Sequence, residues 1–223
     1  YDTGDGGRLI QFASTVPLAG RDESMAGEEA VADRLIEAAL AISGERGWQA
    51  LSLVDVARRA EVSLAECYRA FPDKAAVLHR LLAATDQAVL RDGPADDPEE
   101  TARDRLFEVF MRRFDALQGR RAAIVTILRE LPFDPLTAAS LLPRLTRSIV
   151  WMAETAGVPM TGVPGLIRVK VLGAVYLYAL RAWVNDETAD MAQTMAALDK
   201  ALRRADRLLP AFPNGFAAAH HPS

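Results

Sequence analysis

Few side chains in this 223-residue sequence are equipped for covalent or metal chemistry. Cys67 is the single cysteine, and the three histidines are His79, His220 and His221. That leaves no CxxC knuckle, no spaced set of zinc ligands and no Ser-His-Asp constellation. No paired carboxylates, nucleophile elbow or phosphate-binding glycine loop stands out. The expectation is a non-enzyme with no cofactor and no metal. The residues with informative spacing do hydrogen-bond chemistry instead. Ser52 precedes Asp55 by three positions, and Ser63 precedes Glu66 by three. Each pair can form a capping box, in which the serine hydroxyl accepts from the third helical amide and the carboxylate reaches back to the serine N–H.

Helices must position these groups, and the pattern is helical from residue 28 onward. Alanine, leucine and arginine dominate, and strand-type alternation is absent. Glycine, proline and aspartate divide the chain into about nine helices, near 28–46, 53–60, 64–70, 73–91, 99–117, 121–131, 136–156, 164–183 and 187–209. The cluster Asp92-Gly93-Pro94 to Pro98 is a breaker and the expected domain boundary. The expected organisation is a flexible arm at 1–26, a first domain at 27–92, a second at 99–209 and a disordered tail at 210–223. Two short capped helices joined through Val62 form a helix-turn-helix. Helices this short need tertiary support. Val62, Tyr68 and Phe71 are expected to supply it by packing on a first-helix stripe of Leu35, Ala39 and Ile42 and on Val77, Leu78 and Leu81. The outward face of the third helix is then free to enter a DNA major groove.

The stretch 34–82 resembles the DNA-binding domain of the TetR (tetracycline-repressor) family. The resemblance is carried by the long first helix, Gly47, Ser52, Val56, Ala57, Val62, Ser63, Tyr68, Phe71 and Lys74. It implies an all-α regulator that pairs its last two helices with a second subunit as a homodimer. It also implies that Ser63, Leu64, Ala65, Glu66 and Arg69 lie at the groove, with Ser52, Tyr68 and Lys74 on backbone phosphates. The sequence departs from the pattern at Glu61, where a turn glycine is usual, at Leu64, where lysine or arginine is common, and at Ala65, where glycine is common.

Other roles compete for these residues. Capping accounts for Ser63 and Glu66 without any base, although a glutamate can also accept from cytosine N4. Tyr68 can place its ring inside and its hydroxyl outside. Lys74 reads equally as a first-turn surface residue. Arg69 is the best candidate for DNA contact, Arg58 and Arg59 read as solvated, and Cys67 reads as a small buried apolar residue.

In the second domain, Phe110, Met111, Phe114, Trp151, Met152 and Tyr176 are expected to line an interior with few buried charges, suited to a small apolar or amphipathic effector. Leu180, Trp183, Met191, Met195, Leu198 and Leu202 are expected at the dimer interface, and Ala192, Ala196, Ala197, Ala201 and Ala205 keep the last helix slim. A second resemblance pulls elsewhere. The run from Tyr178 through Trp183, Asn185, Asp186 and Thr188 to Asp190, with Thr194 and Asp199, is similar to the end of lipid-binding accessory proteins of ubiquinone biosynthesis, which share the TetR architecture. It implies, as the alternative, a lipid- or quinone-binding protein with little or no DNA binding.

Half the residues are hydrophobic, enough for a sizeable core, and 26 basic side chains stand against 30 acidic, a net charge of −4. Between Arg46 and Arg80 the balance reverses, with Arg46, Arg58, Arg59, Arg69, Lys74 and Arg80 against Asp55, Glu61, Glu66 and Asp73. DNA binding should therefore lean on a few placed contacts and be sensitive to salt. The longest strictly apolar run, 171–180, is short for a membrane span. A double-stranded operator, an effector and a second copy are the expected partners, in the cytoplasm and without a membrane.

Overall fold

The computed structural model describes residues 18–94 and 100–208. Among them are nine α-helices: α1 (Leu18–Arg46), α2 (Leu53–Arg59), α3 (Leu64–Ala70), α4 (Lys74–Arg91), α5 (Ala102–Gln118), α6 (Arg121–Glu130), α7 (Pro135–Thr155), α8 (Gly162–Asn185) and α9 (Ala192–Leu208). A 3-10 turn, Leu131–Phe133, links α6 to α7. The all-α expectation holds. The first helix starts at Leu18, so residues 18–26 are helical and not part of an arm. Residues 1–17, most of the breaker cluster and the expected tail lie outside the described residues.

Helices α1–α4 form the N-terminal head. Leu35, Ala39 and Ile42 on α1, Val56 and Ala57 on α2, and Val77 and Leu78 on α4 are buried together with Trp48 and Phe71. The ends of α1 and α4 also reach the C-terminal bundle. At Gly47 the backbone takes φ 88°, in the left-handed region that favours glycine. Glu37 on α1 pairs with Arg120 just before α6, and α4 packs against α5 and α7.

The bundle core stacks Phe110 and Phe114 of α5 on Tyr176 of α8, with ring centroids 5.9 and 5.6 Å apart, and Phe114 on Trp183 at 6.2 Å. Helix α9 lies against α8. It begins at Ala192, later than the expected 187, because Asp186 organises the junction. The Asp186 carboxylate accepts from the amide and hydroxyl of Thr188 at 3.0 and 2.5 Å and from those of Thr194 at 2.8 and 2.7 Å. Its backbone carbonyl accepts from Arg121, which also bonds the Trp183 carbonyl at 2.9 Å. By length and composition α8 could cross a membrane, which the apolar run at 171–180 alone did not suggest. Only 33% of its most apolar window is buried in the protomer.

Candidate nucleic-acid interface

The geometry of the head begins with the end of α2. The amide of Glu61 donates to the Arg58 carbonyl at 3.3 Å and that of Val62 to the Ala57 carbonyl at 3.0 Å. This paired closure is a Schellman motif, which places one residue in the left-handed region. That residue is Glu61, with φ 54°. The turn usually made by glycine is thus kept, with a side chain in its place. Val62, the next residue, turns inward and is 9% exposed.

Ser63 then caps α3. Its hydroxyl accepts from the Glu66 amide at 3.2 Å, and Glu66 Oε2 accepts from the Ser63 amide at 3.2 Å and hydroxyl at 2.5 Å. The capping box is therefore complete. Its bonds from Ser63, helped by the nearby Arg69 and Arg34, hold the Glu66 carboxyl below the usual carboxylate range despite some desolvation. Ser52 caps α2, accepting from Val54 at 3.2 Å, but the second box is not closed in this way. Asp55 turns to Arg58 at 3.1 Å and Arg46 at 3.9 Å.

Cys67 is the inner anchor of α3, buried, with its Sγ 3.6 Å from the Leu53 carbonyl. Burial pushes its thiol pKa up. Leu64, Ala65, Tyr68 and Arg69 then project on the outer face with Ser63. Tyr68 departs from expectation, since it is 71% exposed and supports no packing. Val62, Cys67 and Phe71 fill the space between the helices, leaving the tyrosine ring outside. Among the described residues Arg69 forms no ion pair, whereas Arg59 makes two 2.7 Å bonds to Glu45. Lys74 is also placed differently from expectation. Its ammonium stands 4.5 Å from the centroid of Trp48, where desolvation lowers its pKa and Asp134 and Glu130 act to raise it.

The sequence of this head matches a family model described as "Bacterial regulatory proteins, tetR family" over residues 35–81. The fold as a whole is similar to a TetR transcriptional regulator from Nitrosomonas europaea, with a TM-score of 0.62 and 23% identity, covering 78% of this chain and 97% of that one. The chain has the TetR-family regulator fold. A second TetR regulator, from Rhodococcus sp. RHA1, superposes with a TM-score of 0.56 at 19% identity, covering 79% of this chain and 94% of the other. In sequence, the chain is 29% identical over 200 residues to the HTH-type transcriptional repressor KstR of Mycolicibacterium smegmatis, covering 83% of this chain and 93% of KstR.

The TetR-type bundle differs from expectation in three respects. Phe110, Phe114, Met152 and Tyr176 do meet in the interior and Met111 packs beside them, but Trp151 is 52% exposed on the outer side of α7. The larger cavity described, about 860 Å³, is an open groove between the start of α1 and α3–α4, bounded by Gly27, Glu66, Arg69 and Arg80, and includes none of these bundle residues.

Second, the interior holds a charge. Arg113 of α5 is 0% exposed, ion-paired with Asp86 of α4 and bonded to the Tyr176 hydroxyl at 3.1 Å. The signal was present in the sequence, because Arg113 lies three residues after Phe110 and seven after Leu106, on the apolar stripe of its helix.

Third, Trp183, Met191, Leu198 and Leu202 are buried inside the protomer, with Leu180 and Met195 half-buried. The four buried side chains are core, not an outer face. Ala201 and Ala205 are likewise buried within the chain, whereas Ala192 and Ala196 are exposed. Of the residues of the second resemblance, Asp186, Thr188 and Thr194 serve the α8–α9 junction and Asp199 pairs with Arg203, and the proteins matched above are transcriptional regulators.

Proposed function

We propose that the protein is a homodimeric transcriptional repressor that binds a two-fold operator through α3 and leaves it when a small effector enters the bundle. The outward row Ser63, Leu64, Ala65, Tyr68 and Arg69 on a capped helix carries this reading. Arg69 supplies the charge, Ser63 and the Tyr68 hydroxyl can bond phosphate, and Leu64 and Ala65 suit apolar contact with a thymine methyl. KstR, a repressor by name, supports repression over activation. A cytoplasmic location follows from the DNA target.

A dimer follows from the operator geometry, since two recognition helices must stand about 34–36 Å apart. It also follows from α8. Val163 is 71% exposed, Leu166 66% and Leu177 49%, on one stripe of a helix whose other side is core. An apolar stripe of this kind favours a partner surface. That partner is a second copy, with Ala192 and Ala196 of α9 flanking the stripe. Effector release is a shift between two dimer forms, driven by the effector's differential affinity for them. Fluorescence anisotropy against the protein's own upstream DNA tests the proposal. A specific, salt-sensitive complex of one dimer per site is expected. A folded dimer with no preference over random duplex at low salt would overturn it.

A further inference from the structure

The interior of the bundle holds hydrogen-bond donors that its packing leaves short of acceptors. Arg113 Nε donates to the Tyr176 hydroxyl at 3.1 Å, and Nη1 pairs with Asp86. Nη2 is buried and has no partner. The second Asp86 oxygen is already occupied by the Ser148 hydroxyl at 2.7 Å. One turn before Ser148 on α7, the Nε of Arg144 is also buried without a partner. Tyr176 accepts from Arg113, so its own hydrogen points elsewhere, and no acceptor for it occurs among the bonds described. Arg113 and Asp86 cancel in charge, yet one guanidinium nitrogen of Arg113 is left without an acceptor.

Such a cluster is costly as packing alone. A buried charged donor without an acceptor keeps its full desolvation penalty, and folded proteins satisfy nearly all such groups. A methionine at position 113 would fill comparable space without that cost. Phe110 and Phe114, both buried and apolar, pack on Tyr176, whose hydroxyl Arg113 bonds.

We propose that Arg113 is the recognition point for the carboxylate of an acidic, otherwise apolar effector. The inference rests on the ligand-released reading above and gives the ligand its chemical class. The effector's carboxylate takes Nη2, the Tyr176 hydroxyl donates to it, and the aromatic rings contact the rest of the molecule. Close packing of those rings means that binding selects a form in which α4, α5, α7 and α8 have parted. The contact also carries the signal. A second carboxylate on the Arg113 guanidinium stands beside that of Asp86, and like charges at that range repel. Asp86 lies on α4, the helix of the head that also packs against α5 and α7. Acid binding therefore weakens the tie that holds α4 against α5.

Isothermal titration calorimetry on the full chain tests this, with acid and amide pairs of matched shape: benzoate and benzamide, octanoate and octanamide, decanoate and decanamide. At least one acid should bind about tenfold tighter than its amide, as a charge-assisted contact requires. Asp86→Asn should tighten that acid further by removing the competing carboxylate. The double variant R113M/D86N, neutral in net charge, should lose the preference. The single variant keeps the test valid if the double variant fails to fold. If no acid outbinds its amide, or the preference survives in R113M/D86N, the proposal is overturned. Operator anisotropy in parallel separates the two readings. An Arg113-dependent acid that leaves operator affinity unchanged sinks ligand release and keeps the site. Release by acid and amide alike, independent of Arg113, keeps ligand release and sinks the site.

Discussion

The Trp48 indole N–H donates to the Asp134 carboxylate at 3.3 Å. This joins the loop between α1 and α2 to the start of α7, and so the reading head to the bundle. The Gln49 amide reinforces it, donating to Glu130 at 2.8 Å, and Lys74 covers the indole face. Asp134 has a second task, accepting from the Thr137 amide at 3.2 Å as the cap of α7. Asp134→Ala removes both bonds and should cost about 1–2 kcal/mol, the usual worth of a lost N-cap with a modest hydrogen bond. Asp134→Asn keeps one acceptor oxygen, enough for the Thr137 cap, but turns an NH2 donor toward the Trp48 N–H, so it should fall between the parent and the alanine variant. Urea denaturation of the three proteins checks the order.

Glu61 is held in the left-handed region at a position that glycine fills without strain. Relief of that strain is worth roughly 1 kcal/mol or more, and the extra backbone freedom of glycine returns about half of it. Glu61→Gly should therefore raise stability slightly, by about 0.5 kcal/mol. It also removes a carboxylate from the turn beside the DNA face, so operator affinity should rise at low salt. Thermal melts and anisotropy check the two effects, and a loss of stability would show that Glu61 makes a compensating contact.

The head was the most legible part of the sequence, because the Ser63–Glu66 capping box and the α3 face are set by residues close in the chain. The Ser63–Glu66 pair and buried Cys67 follow from spacing alone. Tyr68 did not, since an aromatic residue on a short helix reads as core and only the third dimension shows that Val62, Cys67 and Phe71 already fill the space. In the bundle, periodicity revealed apolar stripes without saying what covers each. The stripes through Trp183 on α8 and through Leu198 and Leu202 on α9 went to the protomer's own core, and a second stripe on α8 was left outside. The role of Asp186 was not legible because its Thr194 partner lies eight residues on, beyond the range of a local motif.

Arg69 and Arg58 separate contact from solvation. Arg58 is committed to Asp55, while Arg69 projects on the outer face of α3. Arg69→Ala should lower operator affinity, by about 1–3 kcal/mol for a base contact, with relaxed specificity at one position. If Arg69 meets phosphate instead, the loss is uniform across sequences and the salt slope flattens by about one per contact. Arg58→Ala should change affinity much less. Anisotropy titrations at several salt concentrations on parent and altered operators distinguish these cases.

The α8 surface gives a contrast between assembly and stability. Leu177→Asp puts a carboxylate on the exposed stripe and should yield a folded monomer with lost operator binding. Leu198→Ala removes a fully buried side chain and should cost about 2–5 kcal/mol while leaving a dimer. Sedimentation and circular dichroism on both variants report assembly and fold separately. A dimeric Leu177→Asp protein would place the interface elsewhere.

Asp186 sets a specific acid sensitivity. Burial works to raise its pKa, but the hydroxyls and amides of Thr188 and Thr194 outweigh this and bring it from 3.8 to about 2. A carboxyl whose folded pKa is depressed stabilises the protein above its unfolded pKa and loses that contribution as pH falls through the folded value. The window is therefore about pH 4 down to 2, and the contribution at neutral pH is about 2 kcal/mol. Asp186→Asn should be destabilised by about that amount at pH 7 and should show a flatter fall in unfolding free energy between pH 4 and 2. Urea titrations across that range test it. Parallel curves for parent and variant would mean that the α8–α9 junction is not where this acid sensitivity arises.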